Sequence, residues 1–325
     1  MSYGVVDMGR DTASALYTWL LSLCCSVGCT SDNISMGGRQ LRVVRQLAEG
    51  GFSFVFLVEG GGERFALKKV LSQVPEQAEA ARWEIEVHTT ISHPNCMPLV
   101  DHCVVPAKNG AEEFQLLMPL YPNGTLLERC VQLMERGERM PERTALTIFQ
   151  AILHGVAAFH EHDPPWAHRD IKPANVLLGT DDVPILMDFG SVKAARQSIK
   201  SRTEALLLQE DAAQNCSMPY RAPELFDVPS DATIDERTDV FSLGATLYAM
   251  GYYYSPFECT FQGNKQIVVE CSHLRVIGGA QFPTDRFYSP AFVDLIQWML
   301  TIDPAKRPTV HQVLAKVQHA LAALK

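Results

Sequence analysis

Alternating apolar and polar residues open the readable part of the chain. Three short runs, at 41–48, 53–58 and 64–71, place apolar side chains at every second position, the period of a strand with one buried face. Gly50, Gly51 and Gly60 to Gly62 fall between these runs, so three antiparallel strands joined by tight turns are expected. After Pro75 the pattern becomes helical and runs to about Ile91, where His93-Pro94-Asn95 ends it. Proline suits that first turn because its missing N–H would have no partner there. Two more strands are expected at about 98–104 and 113–118, and downstream helices at 141–162, 237–251, 289–299 and 308–323, with Pro141, Pro290 and Pro308 at or near their starts. The change of character falls at MPLYPN (118–123). The pattern thus predicts an α+β fold with a strand-rich N-lobe (39–118), a connector (119–123) and a helical C-lobe (124–325), with a ligand cleft between the lobes. Residues 1–38 read as an N-terminal extension, and the Ser/Asn/Gly-rich stretch 30–38 as a linker.

Composition narrows the function classes. With 47% hydrophobic residues the chain can build a sizeable core. Its 28 basic and 37 acidic residues give a formal charge of −9, and the basic residues are scattered, which argues against a nucleic-acid partner. Nine cysteines at irregular spacing, without paired C-x-x-C, argue against a disulfide scaffold or structural zinc and fit a reducing cytoplasmic setting.

The extension modifies that picture. From Ala13 to Cys29 no charge occurs over 17 residues, short of the roughly 20 that a spanning helix needs. As a helix it aligns Ala13, Leu16, Leu20, Leu23 and Val27 on one face and Thr18, Ser22 and Ser26 on another, an interfacial pattern. Cys24, Cys25 and Cys29 beside the apolar face are candidates for S-acylation, so a membrane surface is an expected partner.

The chemistry sits in three motifs. AHRDIKPANVLL (167–178) carries His168, Arg169, Asp170, Lys172 and Asn175 in the H-R-D-x-x-x-x-N spacing of a phosphotransfer loop. Asp188-Phe189-Gly190 follows thirteen residues after Asn175, and Ala222-Pro223-Glu224 comes later. Such transfer spreads charge over the γ-phosphate oxygens, so positioning and electrostatics carry the catalysis. Asn175 and Asp188 offer hard oxygens to magnesium, Asp170 accepts the proton of the acceptor hydroxyl, and Lys172 reaches the phosphate in transit. Upstream, FALKKV places Ala66 and Lys68 in an A-x-K strand pattern that selects Lys68 over Lys69. The helix offers Glu76, Glu79, Glu84 and Glu86 to hold that lysine; resemblance to protein kinases, in which the carboxylate stands at this distance before the helix stop, implies Glu84, and Glu86 lies about 200° round the helix and faces away.

From about Arg39 onward the chain resembles a eukaryotic protein kinase, on the motifs above and on EGGFSFVFLVEG, SHPN, LMDFGS, YRAPELF and IDERTDVFSLGATLYAM. These longer blocks resemble the Numb-associated kinase family, in its myristoylated and palmitoylated serine/threonine branch. The resemblance implies a bilobal protein-kinase-like fold and a serine/threonine protein kinase that uses ATP and Mg2+ on protein substrates at the Golgi or another internal membrane. The alternative is a silent pseudokinase scaffold, which usually lacks a lysine or aspartate that is present here. The resemblance places the nucleotide against Leu47, Ala48, Gly50, Gly51, Ser53, Val55, Ala66, Lys68, Glu84, Met118, Pro119, Tyr121 and Leu177. It also implies that Asp239 holds the catalytic loop, that Glu224 pairs with Arg307, and that Ser217 bonds Asp170 and Lys172. In LAEGGFSFVFL two of three loop glycines are replaced, by Ala48 and Ser53. Ser2 stands where the lipidated branch has glycine, so direct myristoylation is not expected. Arg169 and the hydroxyls of Ser198, Ser201 and Thr203 are candidates for activation-loop regulation, Cys216 for an exposed thiol, and Tyr252 to Tyr254 for packing or a substrate surface.

Overall fold

The predicted alternation produces one antiparallel sheet. The computed structural model describes residues 33–50, 53–107 and 110–324. It contains β1 (Asn33–Met36), β2 (Arg39–Glu49), β3 (Ser53–Gly60), β4 (Glu63–Ser72), β5 (Asp101–Pro106) and β6 (Glu112–Pro119), in the order β1-β2-β3-β4-β6-β5. Register fixes which residues share a face: Val55 lies opposite Lys68, and Ala66 opposite Met118. Those four point toward the cleft. Val58, Phe65, Leu67 and Leu117 point the other way, into a core that Met36 of β1 and Leu41 of β2 complete.

β1 corrects the linker reading of 30–38 over its described part. Met36 is buried and Ile34 half-buried against that core, while Asn33 and Ser35 stay exposed, so four residues suffice for a strand. The turn to β2 uses Gly37 and Gly38 at φ +55° and +73°, the left-handed region that other residues avoid. The sequence extension 1–32, with Cys24, Cys25 and Cys29, lies outside the described residues.

Helix α1 (Pro75–Thr90) packs Ala78 and Ala81 on Phe114 and Leu116 of the sheet. The C-lobe is built from α2 (Leu126–Glu135), α3 (Glu142–His160), α4 (Arg202–Asn215), α5 (Arg237–Tyr252), α6 (His273–Gly278), α7 (Pro290–Met299) and α8 (Val310–Ala323). α5 is buried along its whole length after Arg237, which explains why its apolar residues are not confined to one face. Its Gly244 lets α7 approach, since a Cβ there would lie 2.9 Å from Met299. α2, α4 and α6 were not predicted. α2 carries a legible signal, the capping box in which Thr125 accepts from Glu128 N while Glu128 accepts from Thr125 N at 2.7 Å.

α4 lies between the second and third motifs, on a separate small core of Ile199, Ala205, Leu208, Ala212, Cys216, Leu225, Val228 and Ile234. Two short ladders tie this segment down. After β7 (Trp166–Ala167) and the paired strands β8 (Val176–Leu178) and β9 (Pro184–Leu186), β10 (Lys193–Ala194) pairs with β7, and β11 (Gln197–Ile199) pairs with β12 (Ala232–Ile234).

Candidate active site

The catalytic loop hangs from one buried carboxylate. Asp239, at the start of α5, is 0% exposed and accepts from His168 N at 2.7 Å, Arg169 N at 2.8 Å and His160 Nε2 at 2.9 Å. Burial pushes its pKa up, but the His160 bond and the imidazoles of His160 and His168 outweigh this and hold it below the usual carboxylate range. These bonds retain Arg169 at φ +70°, a left-handed conformation that costs an ordinary residue about 1–3 kcal/mol.

That bend presents Asp170 to the cleft. Its Oδ2 accepts from Lys172 Nζ at 2.7 Å and Asn175 Nδ2 at 3.0 Å, and its Oδ1 accepts from Ser217 N at 2.9 Å. Lys172 also donates to Ser217 Oγ at 2.6 Å. The predicted Ser217 link is therefore present, with its backbone N–H serving Asp170 and its hydroxyl serving Lys172. Burial raises the Asp170 pKa, while Lys172 and the bonds from Lys172 and Ser217 lower it by more. The net result is a carboxylate that stays ionised and able to accept a proton near neutral pH.

Across the cleft, Lys68 Nζ meets Glu84 Oε1 at 2.6 Å and Asp188 Oδ1 at 3.8 Å. Burial alone would lower the lysine, yet Glu84 and Asp188 overcome it and hold its pKa above the ordinary value. Lys69, on the other face of the strand, pairs with Glu113 at 3.2 Å, and Glu86 is exposed, as expected of a residue facing away from Lys68. Phe189 is 0% exposed against His88, Phe159 and His168, and this anchor leaves the Asp188 carboxylate 47% exposed in the cleft. Burial pushes the His88 imidazole down, so it packs there as a neutral ring.

Asn175 commits its amide N–H groups to Asp170 O and Oδ2, at 2.9 and 3.0 Å, and so keeps Oδ1 as its acceptor. Together with the open carboxylate of Asp188, this donor set fits magnesium, a hard cation that takes oxygen ligands. Around the predicted nucleotide position, Leu47, Ser53, Val55, Ala66, Tyr121 and Leu177 are half-buried and Met118 is buried. Pro119 closes β6 and opens the connector. Gly50 N donates to Ser53 O at 2.7 Å, and Glu49 pairs with Phe54, so the loop over the cleft is a hairpin. A Cβ at Gly50 would lie 2.9 Å from Ser53 Oγ, a contact that a turn of the serine hydroxyl would relieve, and Ala48 is exposed. Gly51 lies outside the described residues.

Other expectations divide. Arg307 is 2% exposed and pairs with Glu224 through two bonds, of 2.7 and 2.9 Å, as expected. Cys216 is not an exposed thiol: it is 6% exposed and burial pushes it up to about 12. Ser201 caps α4 by accepting from Glu204 N, and the Arg169 guanidinium is buried with one bond, to Ala195 O at 3.5 Å. Tyr252 packs among Tyr248, Phe282 and Tyr288, whereas Tyr253 and Tyr254 line a groove of about 420 Å³ beside Lys172 and Ser217. Sequence reasoning missed His160 as a partner of Asp239 and, beyond a substrate-surface reading of the tyrosine run, missed the residues of the first C-lobe helix that line this groove, because both features join residues far apart in the chain.

The protein kinase domain model matches residues 41–318. Human serine/threonine-protein kinase 16 is 37% identical over 293 residues, covering 89% of this chain and 93% of that protein. A probable serine/threonine-protein kinase of Dictyostelium discoideum is 33% identical, covering 93% of this chain and 98% of its own. The serine/threonine-protein kinase ENV7 of Saccharomyces cerevisiae is 26% identical, covering 91% and 96%. With the matched segment spanning both lobes and the cleft between them, the chain belongs to the protein kinase family and is a protein serine/threonine kinase.

Proposed function

We propose that this kinase uses magnesium and ATP to phosphorylate serine and threonine in protein substrates, as a member of the Numb-associated kinase family acting at the Golgi or another internal membrane. The observation that carries the phosphotransfer reading is the set Lys68–Glu84, Asp188, Asn175 and Asp170–Lys172–Ser217, assembled around one cleft. Bound magnesium ATP supplies the γ-phosphoryl group and neutralises its charge. Lys68 holds the phosphates that precede that group. Asn175 Oδ1 and the Asp188 carboxylate would hold the metal. Asp170 aligns the acceptor hydroxyl and takes its proton, while Lys172 balances negative charge beside it. Ser217, bonded to Lys172, and the groove of Leu127, Val131, Met134, Pro219 and Tyr254 receive the residues that flank a serine or threonine.

Incubation with magnesium ATP and three peptide pools, whose only acceptor is serine, threonine or tyrosine, tests this. Transfer to the first two pools and not the third is expected. A chain that binds ATP and labels none of them is instead the silent scaffold.

Membrane attachment rests on the apolar face 13–29 and on acylation of Cys24, Cys25 and Cys29. Among the described residues no helix is long and apolar enough to cross a membrane. Replacing the three cysteines with serine is expected to move most of the protein from the membrane pellet to the supernatant on cell fractionation. An unchanged distribution would count against acylation as the anchor.

A further inference from the structure

α1 carries Glu84. Its N-cap, Val74, offers no side-chain acceptor; toward the sheet it packs Ala78, Ala81 and Ile85 and pairs Arg82 with Glu112, and His88 meets Phe189 with ring centroids 4.4 Å apart. The residue before Glu84 makes a further connection. Trp83 Nε1 donates to the Val192 carbonyl at 2.6 Å, just after the Asp188-Phe189-Gly190 motif, and its ring meets Trp166 edge-on with centroids 5.1 Å apart. Trp166 is itself immobilised: it is 5% exposed, pairs with Ala194 in the β7–β10 ladder, and stacks with His162 at 3.9 Å. Among the described residues, the Trp83 bond is the one hydrogen bond that joins α1 to the segment 188–217.

Consecutive helical residues leave the axis about 100° apart, so Trp83 and Glu84 serve different neighbours from one turn. Glu84 reaches Lys68 at 2.6 Å, while Trp83 reaches Val192, the residue before β10. Any rotation or slide of α1 that opens the Glu84–Lys68 pair must also break the indole contacts. We propose that Trp83 is a positioning residue for phosphoryl transfer, a latch that docks α1 on the β7–β10 ladder and thereby keeps Glu84 on Lys68. Trp83 touches no reacting group; it acts through the geometry of the pair.

This inference rests on the phosphotransfer reading of the cleft, and the test separates the two. Affinity for a fluorescent ATP analogue with magnesium, kcat and KM for ATP with a serine peptide as acceptor, and thermal unfolding are measured for five proteins. These are the parent, Trp83→Ala, Trp83→Phe, Glu84→Gln and the Trp83→Ala/Glu84→Gln double variant. Trp83→Ala is expected to lose about 10-fold in kcat/KM for ATP, the scale of a small misplacement at a catalytic pair. Trp83→Phe keeps a ring against Trp166 without the N–H and recovers part of the loss. In the Glu84→Gln background the pair is already broken, so Trp83→Ala adds almost nothing to the kinetic defect, while it lowers thermal stability equally in both backgrounds. A Trp83→Ala variant as active as the parent overturns the proposal. So does a kinetic loss undiminished by Glu84→Gln, which assigns Trp83 a structural role alone. If the parent binds nucleotide and transfers no phosphate, the kinase reading fails, and the nucleotide affinities of the same five proteins still decide the latch.

Discussion

Asp170→Asn is expected to slow phosphoryl transfer by about 10²–10⁴-fold, the range for loss of a general base, while nucleotide still binds. The shape is unchanged, but the chemistry of the partners is not. Lys172 Nζ, Asn175 Nδ2 and Ser217 N all donate to the two carboxylate oxygens, so the amide group of an asparagine faces at least one donor in either orientation. It also has no basic oxygen for the acceptor proton. Lys68, Glu84 and Asp188 lie across the cleft and keep their contacts, so nucleotide affinity is the control.

Steady-state kinetics with a serine peptide beside a nucleotide titration check this prediction. Equal rates in parent and variant, with binding preserved, would remove Asp170 from the mechanism. The pH profile adds a second reading. The Asp170 pKa lies below its ordinary value of about 4, so the base stays ionised from pH 5 upward and contributes no acid-side loss there. A sharp fall near pH 6 that disappeared in Asp170→Asn would contradict the assignment.

Asp239→Asn is expected to cost about 3 kcal/mol of stability and to reduce activity with it, because bonds to a buried ionised group are individually worth about 1.5–3 kcal/mol. Three donors converge on this carboxylate, from His168, Arg169 and His160, and an amide nitrogen turned toward any of them leaves two buried N–H groups facing each other. Without the anchor, Arg169 has little to hold it at its left-handed φ, and Asp170 loses its aim. The sign of the pH effect follows from the lowered pKa of the folded protein. Asp239 stabilises the fold above its unfolded value of about 4, and this contribution disappears as pH falls through the lower folded value. Urea unfolding of parent and variant at neutral and acid pH measures both effects. The gap between them should be full at pH 7 and should narrow only below about pH 4. A gap of the same size at all pH values would show that the Asp239 charge is not what matters.

What could be read in advance follows distance along the chain. Asp170, Lys172 and Asn175 lie within six residues, so their spacing alone states the chemistry. Lys68 separates from Lys69 by strand alternation with the A-x-K pattern, and the structure sends the second lysine to Glu113. Helix α4 escaped prediction for a physical reason. Ala205, Leu208 and Ala212 form its buried stripe, but Leu206 and Leu207 are 47% and 62% exposed, so the apolar positions do not mark one face. β1 escaped because four residues, two of them polar, bury only Met36 fully. Its register depends on a core completed by residues from the rest of the sheet.

By itself, the sequence determined which groups do the chemistry and the period of the elements that carry them, because motif spacing and backbone hydrogen bonding are local. Tertiary structure decided which groups meet. Asp239 joins a loop 71 residues earlier in the chain, and Trp83 joins a carbonyl 109 residues later. No local periodicity encodes such pairs. They form because the packed lobes bring buried donors to acceptors that have no water to turn to, where an unmet hydrogen bond is costly.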